Sequence, residues 1–251
     1  SGTANIVNML WIGLLSFGLY VAISVGRVTH RQLFLETPIP FPLAGTDLPL
    51  VGFFRLAPLL FVIGHGYVLL HLTLLAERVR RYIGLTEIAE LTPETRIRSD
   101  TQLPSHVFVE YLVAPRDTSR RTIGMVVRFV AWFTMVLAPV ALLLLVQVSF
   151  LPYQDEATTW IHRALLLADI ALLLLFWPSA ARSASAPPGR IRTRRLPLLP
   201  GSIAAVLFSW GIATFPGERH DANLLARLFE TAVEHISGRP LLLNDVDVVT
   251  G

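Results

Sequence analysis

Apolar residues fall in long unbroken runs along this chain, with the polar residues gathered between them. Two runs, roughly 123–151 and 161–177, are joined by the short polar link PYQDEATTW. Crossing the hydrocarbon core of a bilayer takes about 20 residues of helix, and each run is long enough. So short a link makes the two helices antiparallel neighbours, a transmembrane hairpin. Three more runs, 6–26, 48–76 and 196–216, are similarly apolar. The pattern predicts an all-α, polytopic integral membrane bundle of about five transmembrane helices over residues 1–216. An extramembrane tail, 217–251, follows. No basic residue precedes the first run, and it exceeds a typical signal-peptide core, so it reads as a retained helix.

The intervals carry their own signals. In 27–49, Pro38, Pro40, Pro42 and Pro49 remove amide donors and favour extended backbone, which forbids helix. Ile39, Phe41 and Leu43 make this loop too apolar for free solvent, so it should pack on the end of the bundle. The second run should stop at Glu77-Arg78-Val79-Arg80-Arg81, opening a polar loop over 77–122. Within that loop, SHVFVEYLVAP is a candidate interfacial segment. Pro139 should kink the third run, because it withholds the N–H of an i to i−4 bond. In the tail, ANLLARLFETAVEHI has the spacing of an amphipathic helix.

Composition agrees with the pattern. Charged residues make up 16% and hydrophobic ones 53% of the 251, with mean hydropathy +0.57. A soluble domain carries about 25% charged residues. There is no Cys, which excludes disulfides, thiol catalysis and thiolate metal sites. All 21 basic residues are Arg, which excludes Schiff-base and Walker-type lysine chemistry. The net charge of +3 comes largely from loop arginines and marks topology rather than nucleic-acid binding. Loops 77–122 and 179–195 hold 13 of the 21 Arg, against Arg27 and Arg31 in 27–49 and none in 152–160. The positive-inside rule places the two Arg-rich loops in the cytoplasm.

The second helix of the hairpin carries His162, Arg163 and Asp169 into the apolar zone, where charge is expensive. His162 and Asp169 are two turns apart on one face, about 10.5 Å along the axis, too far to share a metal ion. They read as a structural polar face or as a proton relay. Asp169 lies near mid-membrane, and Arg55 and His65 on the second run bracket its depth as partners. His65 and His71 with His162 invite a bis-His haem. Haem needs two ligands at one depth, and these differ, so no cofactor is expected. Arg190, Arg192, Arg194 and Arg195 could hold anionic lipid headgroups. No Gly-rich phosphate loop, Ser/His/Asp arrangement or HExxH is present, so enzymatic activity is not expected.

Three stretches carry a family resemblance. They are Thr29-His30-Arg31-Gln32-Leu33 with the Pro-rich loop and LPLVGFFRLAPLLFVIGHGYVLLHL; Phe150-Leu151-Pro152-Tyr153-Gln154-Asp155 with Thr159, His162-Arg163 and Asp169; and Ala213-Thr214-Phe215-Pro216-Gly217-Glu218. Together they resemble the membrane module of bacterial pentapeptide repeat-containing membrane proteins. The resemblance implies a multi-pass anchor in the bacterial inner membrane, with a repeat β-helix following the tail. No A(D/N)LXX array is present here, although LLLNDVDVVTG looks like the start of one. The family offers no established activity to transfer. The expected function is therefore a non-enzymatic membrane anchor or scaffold. The alternatives are a transporter or proton-conducting unit using His65, His162 and Asp169, or an accessory subunit of a larger membrane complex. The expected partners are membrane lipids, other membrane subunits or further copies of the chain.

Overall fold

The computed structural model describes residues 2–41, 45–88, 121–181 and 198–212. Within them the chain is an all-α bundle, and four of its helices are long and apolar enough to cross a membrane. The candidate interfacial segment, the amphipathic tail helix and the Arg190–Arg195 cluster lie outside the described residues.

Helix α1 spans Gly2–Arg27, and a single helical turn and a half, α2, spans His30–Phe34. Thr29 starts α2: its hydroxyl accepts from the Gln32 N–H, and the Gln32 side chain accepts from the Thr29 N–H. This reciprocal cap satisfies donors that a short helix would otherwise leave open. The Pro-spaced stretch is non-helical. It forms a two-stranded antiparallel hairpin, β1 Ile39–Phe41 against β2 Thr46–Leu48, with Ile39 opposite Leu48. Gly45 turns the chain at φ +63°, a conformation that suits glycine. Ile39 is buried, and the Tyr20 hydroxyl of α1 donates to the Pro40 carbonyl, so the hairpin caps one end of the bundle.

Helix α3, Leu50–Ile88, runs straight through the polar stretch that should have ended it. Arg and Glu are good helix formers, and Glu77 and Arg81 pair one turn apart at 3.8 Å. A charged stretch ends a membrane span without ending the helix. The expected boundary at 76 is corrected accordingly.

The third span is α4, Arg121–Trp132, a π-helical segment, Phe133–Leu137, and α5, Ala138–Phe150. Pro139 sits in the first turn of α5, so the irregularity it imposes is a π segment just before it. After a 3₁₀ turn, Leu151–Tyr153, and a left-handed Gln154, α6 covers Glu156–Ala180. Within the described residues the fifth run forms α7, Leu199–Ile212, with 14 residues. That is about 21 Å of helix against a hydrocarbon core of about 30 Å. By described length the bundle has four spans and a shorter fifth helix.

The largest interface is between α3 and α6. These two helices are parallel: Arg55 meets Asp155 at one end and Arg80 meets the Ser179 carbonyl at the other. Gly66 permits the close approach, since a Cβ there would stand 3.0 Å from Leu172. Phe53, Phe54, Leu69, Leu72 and Leu75 of α3 fill the core with Phe150 of α5 and Leu166 and Leu173 of α6.

Candidate functional site: the polar seam between α3 and α6

The stripe of α6 facing α3 carries Thr158, His162, Leu166, Asp169 and Leu173, three or four residues apart, all buried. That spacing keeps one face of a helix on its neighbour. The polar members meet α3 at separate levels.

At the hairpin end, Arg55 spans two partners. Its Nη2 donates to Asp155 Oδ2 at 2.8 Å and its Nε to Thr158 Oγ1 at 2.7 Å. The Thr158 hydroxyl donates to the same Asp155 oxygen. The hydroxyl first, and the Arg55 guanidinium with it, hold the Asp155 carboxyl below its ordinary range against the opposing effect of burial. A carboxyl lowered on folding stabilises above its unfolded pKa, about 3.9, and that stability is lost as pH falls through the lower folded value. Acid titration of thermal stability should therefore show a drop beginning near pH 4, under about 1 kcal/mol because the arginine is partly solvated. Asp155→Asn should remove this component. A drop of the same size in the variant would assign it to another carboxylate.

One turn deeper, His162 Nε2 lies 2.8 Å from the Phe54 carbonyl. Pro58 is four residues beyond Phe54 and has no N–H, so it leaves that carbonyl without its helical donor. The His162 imidazole supplies it. The same arrangement recurs at mid-bundle. Pro139 is four residues beyond Met135, and His65 Nε2 lies 3.1 Å from the Met135 carbonyl. Each buried histidine thus satisfies a carbonyl that a proline on a neighbouring helix has released. This makes a test available. His162→Leu should cost about 1–3 kcal/mol by orphaning a buried carbonyl. In a Pro58→Ala background, where residue 58 donates again, most of that cost should vanish. Equal costs in both backgrounds would show that His162 does not act through the Phe54 carbonyl.

His65 then turns its other nitrogen to α6. Nδ1 lies 2.6 Å from Asp169 Oδ1, and both side chains are wholly buried. The Met135 carbonyl can only accept, so Nε2 carries a proton. The contact at Nδ1 holds one more. Acid with neutral base, or carboxylate with imidazolium, gives the same total charge of zero. Asp169 Oδ2 has no hydrogen-bond partner among the described residues. Towards the far end, Thr73 donates to the Leu69 carbonyl at 2.8 Å, and Arg80 donates to the Ser179 carbonyl at 2.9 Å.

Two ties outside the seam hold α7. Gln147 of α5 donates from Nε2 to the Ser209 carbonyl at 3.2 Å and accepts from the Ser209 hydroxyl at 2.7 Å. Arg163, buried, lies with its guanidinium 4.6 Å from the Trp160 ring and 5.0 Å from the Trp210 ring. Both contacts are cation–π interactions.

Of the sequence candidates, the structure joins His65 to Asp169 and places His162 on the same face, but on a backbone partner. Arg55 is not a partner of Asp169. It stands ten residues from His65, about 15 Å along α3, and is taken by Asp155 and Thr158. His71, six residues from His65 on α3, packs against Tyr67 and not against Asp169. Among the described residues, no three His, Asp or Glu side chains gather as a metal site. An apolar groove of about 380 Å³ lies between α1, α3 and α5, lined by Gly18, Phe61, Thr134, Pro139 and Leu142, and neither His65 nor Asp169 lines it. Comparison of the chain with protein-family models, curated proteins and solved structures finds no match.

Proposed function

We propose that this multi-pass membrane protein is a non-enzymatic anchor or scaffold of the bacterial inner membrane. The observation that supports the reading is the closure of the seam. The polar levels at His162 and Asp169 are seven residues apart, about 10.5 Å, with Leu165 and Leu166 buried between them. Leu173 separates Asp169 from the Thr73 level. At each level the side chains bond one another or a backbone carbonyl, with Asp169 Oδ2 alone left over at its level among the described residues, so the polar atoms stitch two helices in register and do not form a file. The resemblance to the membrane module of pentapeptide repeat-containing proteins motivates the same role, with membrane lipids and other membrane subunits as partners.

The His65–Asp169 pair, which holds a proton between two heteroatoms, is the observation that favours the proton-conducting alternative. The two readings part on what the pair is for. A scaffold needs shape, so a folded variant with apolar residues at both positions should keep its assemblies. His65→Leu/Asp169→Leu protein, extracted from its native membrane, should migrate on native gels in the same complexes as the parent. Dispersal of those complexes, with the variant still folded, would refute the scaffold reading.

A further inference from the structure

The outward stripe of α3 is built from Leu59, Ile63, Tyr67, Leu70 and Leu74, spaced by four, four, three and four residues. Ile63 is 60% exposed and Tyr67 50% exposed, although α3 is the most contacted helix of the bundle. His71, half-buried, sits beside this stripe with its ring packed edge-on against Tyr67, the centroids 4.4 Å apart. Neither the Tyr67 hydroxyl nor either His71 nitrogen has a hydrogen-bond partner among the described residues. Both belong to the Leu50–Arg81 span. From Arg78, His71 is seven residues in, about 10 Å along the axis, and Tyr67 is about 6 Å deeper. Hydrocarbon at that depth offers neither of them a hydrogen-bond partner. Intramembrane polar side chains ordinarily face other protein.

We infer that this stripe is the interface between two copies of the chain. Two copies in one bilayer insert the same way round. A two-fold axis along the membrane normal then sets like depths opposite each other, the geometry of an isologous dimer. A partner for Tyr67 and His71 must offer both a donor and an acceptor at one depth. A neutral imidazole has one of each, and so does a phenol. The patch is therefore self-complementary, and a second copy supplies what it lacks without any further requirement. The leucines and Ile63 on either side supply apolar packing at helical spacing. The inference depends on α3 spanning a bilayer and not on the scaffolding role.

The chain has no cysteine, so single ones report contacts directly. Leu70→Cys and Leu74→Cys on the stripe, with Leu19→Cys on α1 and Leu175→Cys on α6 as controls, are reconstituted separately in lipid vesicles at high dilution and oxidised. Dimers should form at Leu70→Cys and Leu74→Cys at least about tenfold more than at the controls. Adding Tyr67→Phe and His71→Leu to the Leu70→Cys protein should weaken association by about tenfold, the worth of one or two interhelical hydrogen bonds in a bilayer. Thermal midpoints of the diluted protein should match with and without these two changes, which separates the interface from the fold. Equal crosslinking on all faces would overturn the inference. So would association unchanged by removal of the two polar groups, or a protein monomeric at every dilution.

Discussion

Asp169→Leu should destabilise the bundle by about 3 kcal/mol, at the lower end of what removal of one member of a buried pair costs. The substitution leaves His65 Nδ1 sealed from water, with Oδ1 of residue 169 gone from its position at 2.6 Å. His65→Leu should cost at least as much, because it also leaves the Met135 carbonyl without the donor that Pro139 fails to supply. The double variant should then be less destabilised than the sum of the singles by about 2 kcal/mol or more, since each single change already breaks the shared bond. Asp169→Asn is the mild replacement. Its amide N–H can donate to Nδ1, and the expected cost is about 1 kcal/mol. Chemical unfolding in mild detergent gives all four values. If Asn costs as much as Leu, the pair depends on charge and not on the hydrogen bond alone.

Arg163→Met should produce the second large loss, about 3 kcal/mol, by removing a buried guanidinium from between two indole rings. The effect should centre on α7, since Trp210 is the α7 side of that contact. Trp210→Leu alone should cost less, and the two changes together should fall short of additivity by about 1 kcal/mol or more. Arg163→Lys should recover little, because an ammonium lacks the flat face that lies against both rings. Full additivity of Arg163→Met and Trp210→Leu in thermal unfolding would contradict the contact.

How much of this is legible in the sequence depends on whether the deciding interaction is local. The helical runs are legible because a bilayer demands length and apolarity from each segment by itself. Asp169 is conspicuous in LLLADIALLLL for the same reason, and its depth narrows the partner to Arg55 or His65. Choosing between those two needs the level at which α3 and α6 meet, and Asp155, near in space to Arg55, claims the arginine. The link between Pro58 and His162, or between Pro139 and His65, joins residues far apart in the chain. Only half of it is readable: a proline inside a helix announces an orphan carbonyl four residues back, but not the side chain that meets it. Trp160 and Arg163 are three apart on one helix and readable as neighbours, whereas Trp210 arrives from a different run. The continuation of α3 past Ala76 is not legible, because a charged stretch marks the end of a membrane span and carries no signal for the end of the helix. The hairpin at 39–48 is missed because four prolines indicate extended backbone without indicating that two extended pieces pair. The fifth run reads as a span by hydropathy, and its described part, Leu199–Ile212, is helical as that pattern requires.

The central claim is that the His65–Asp169 pair is a sealed register device between α3 and α6. Proton entry into vesicles loaded with a pH-sensitive dye, driven by an imposed potential, tests it most directly. The account predicts that vesicles holding the purified protein acidify no faster than empty ones, and that Asp169→Asn leaves the rate unchanged. Acidification several-fold above empty vesicles, abolished by Asp169→Asn in a protein that still folds, would contradict it.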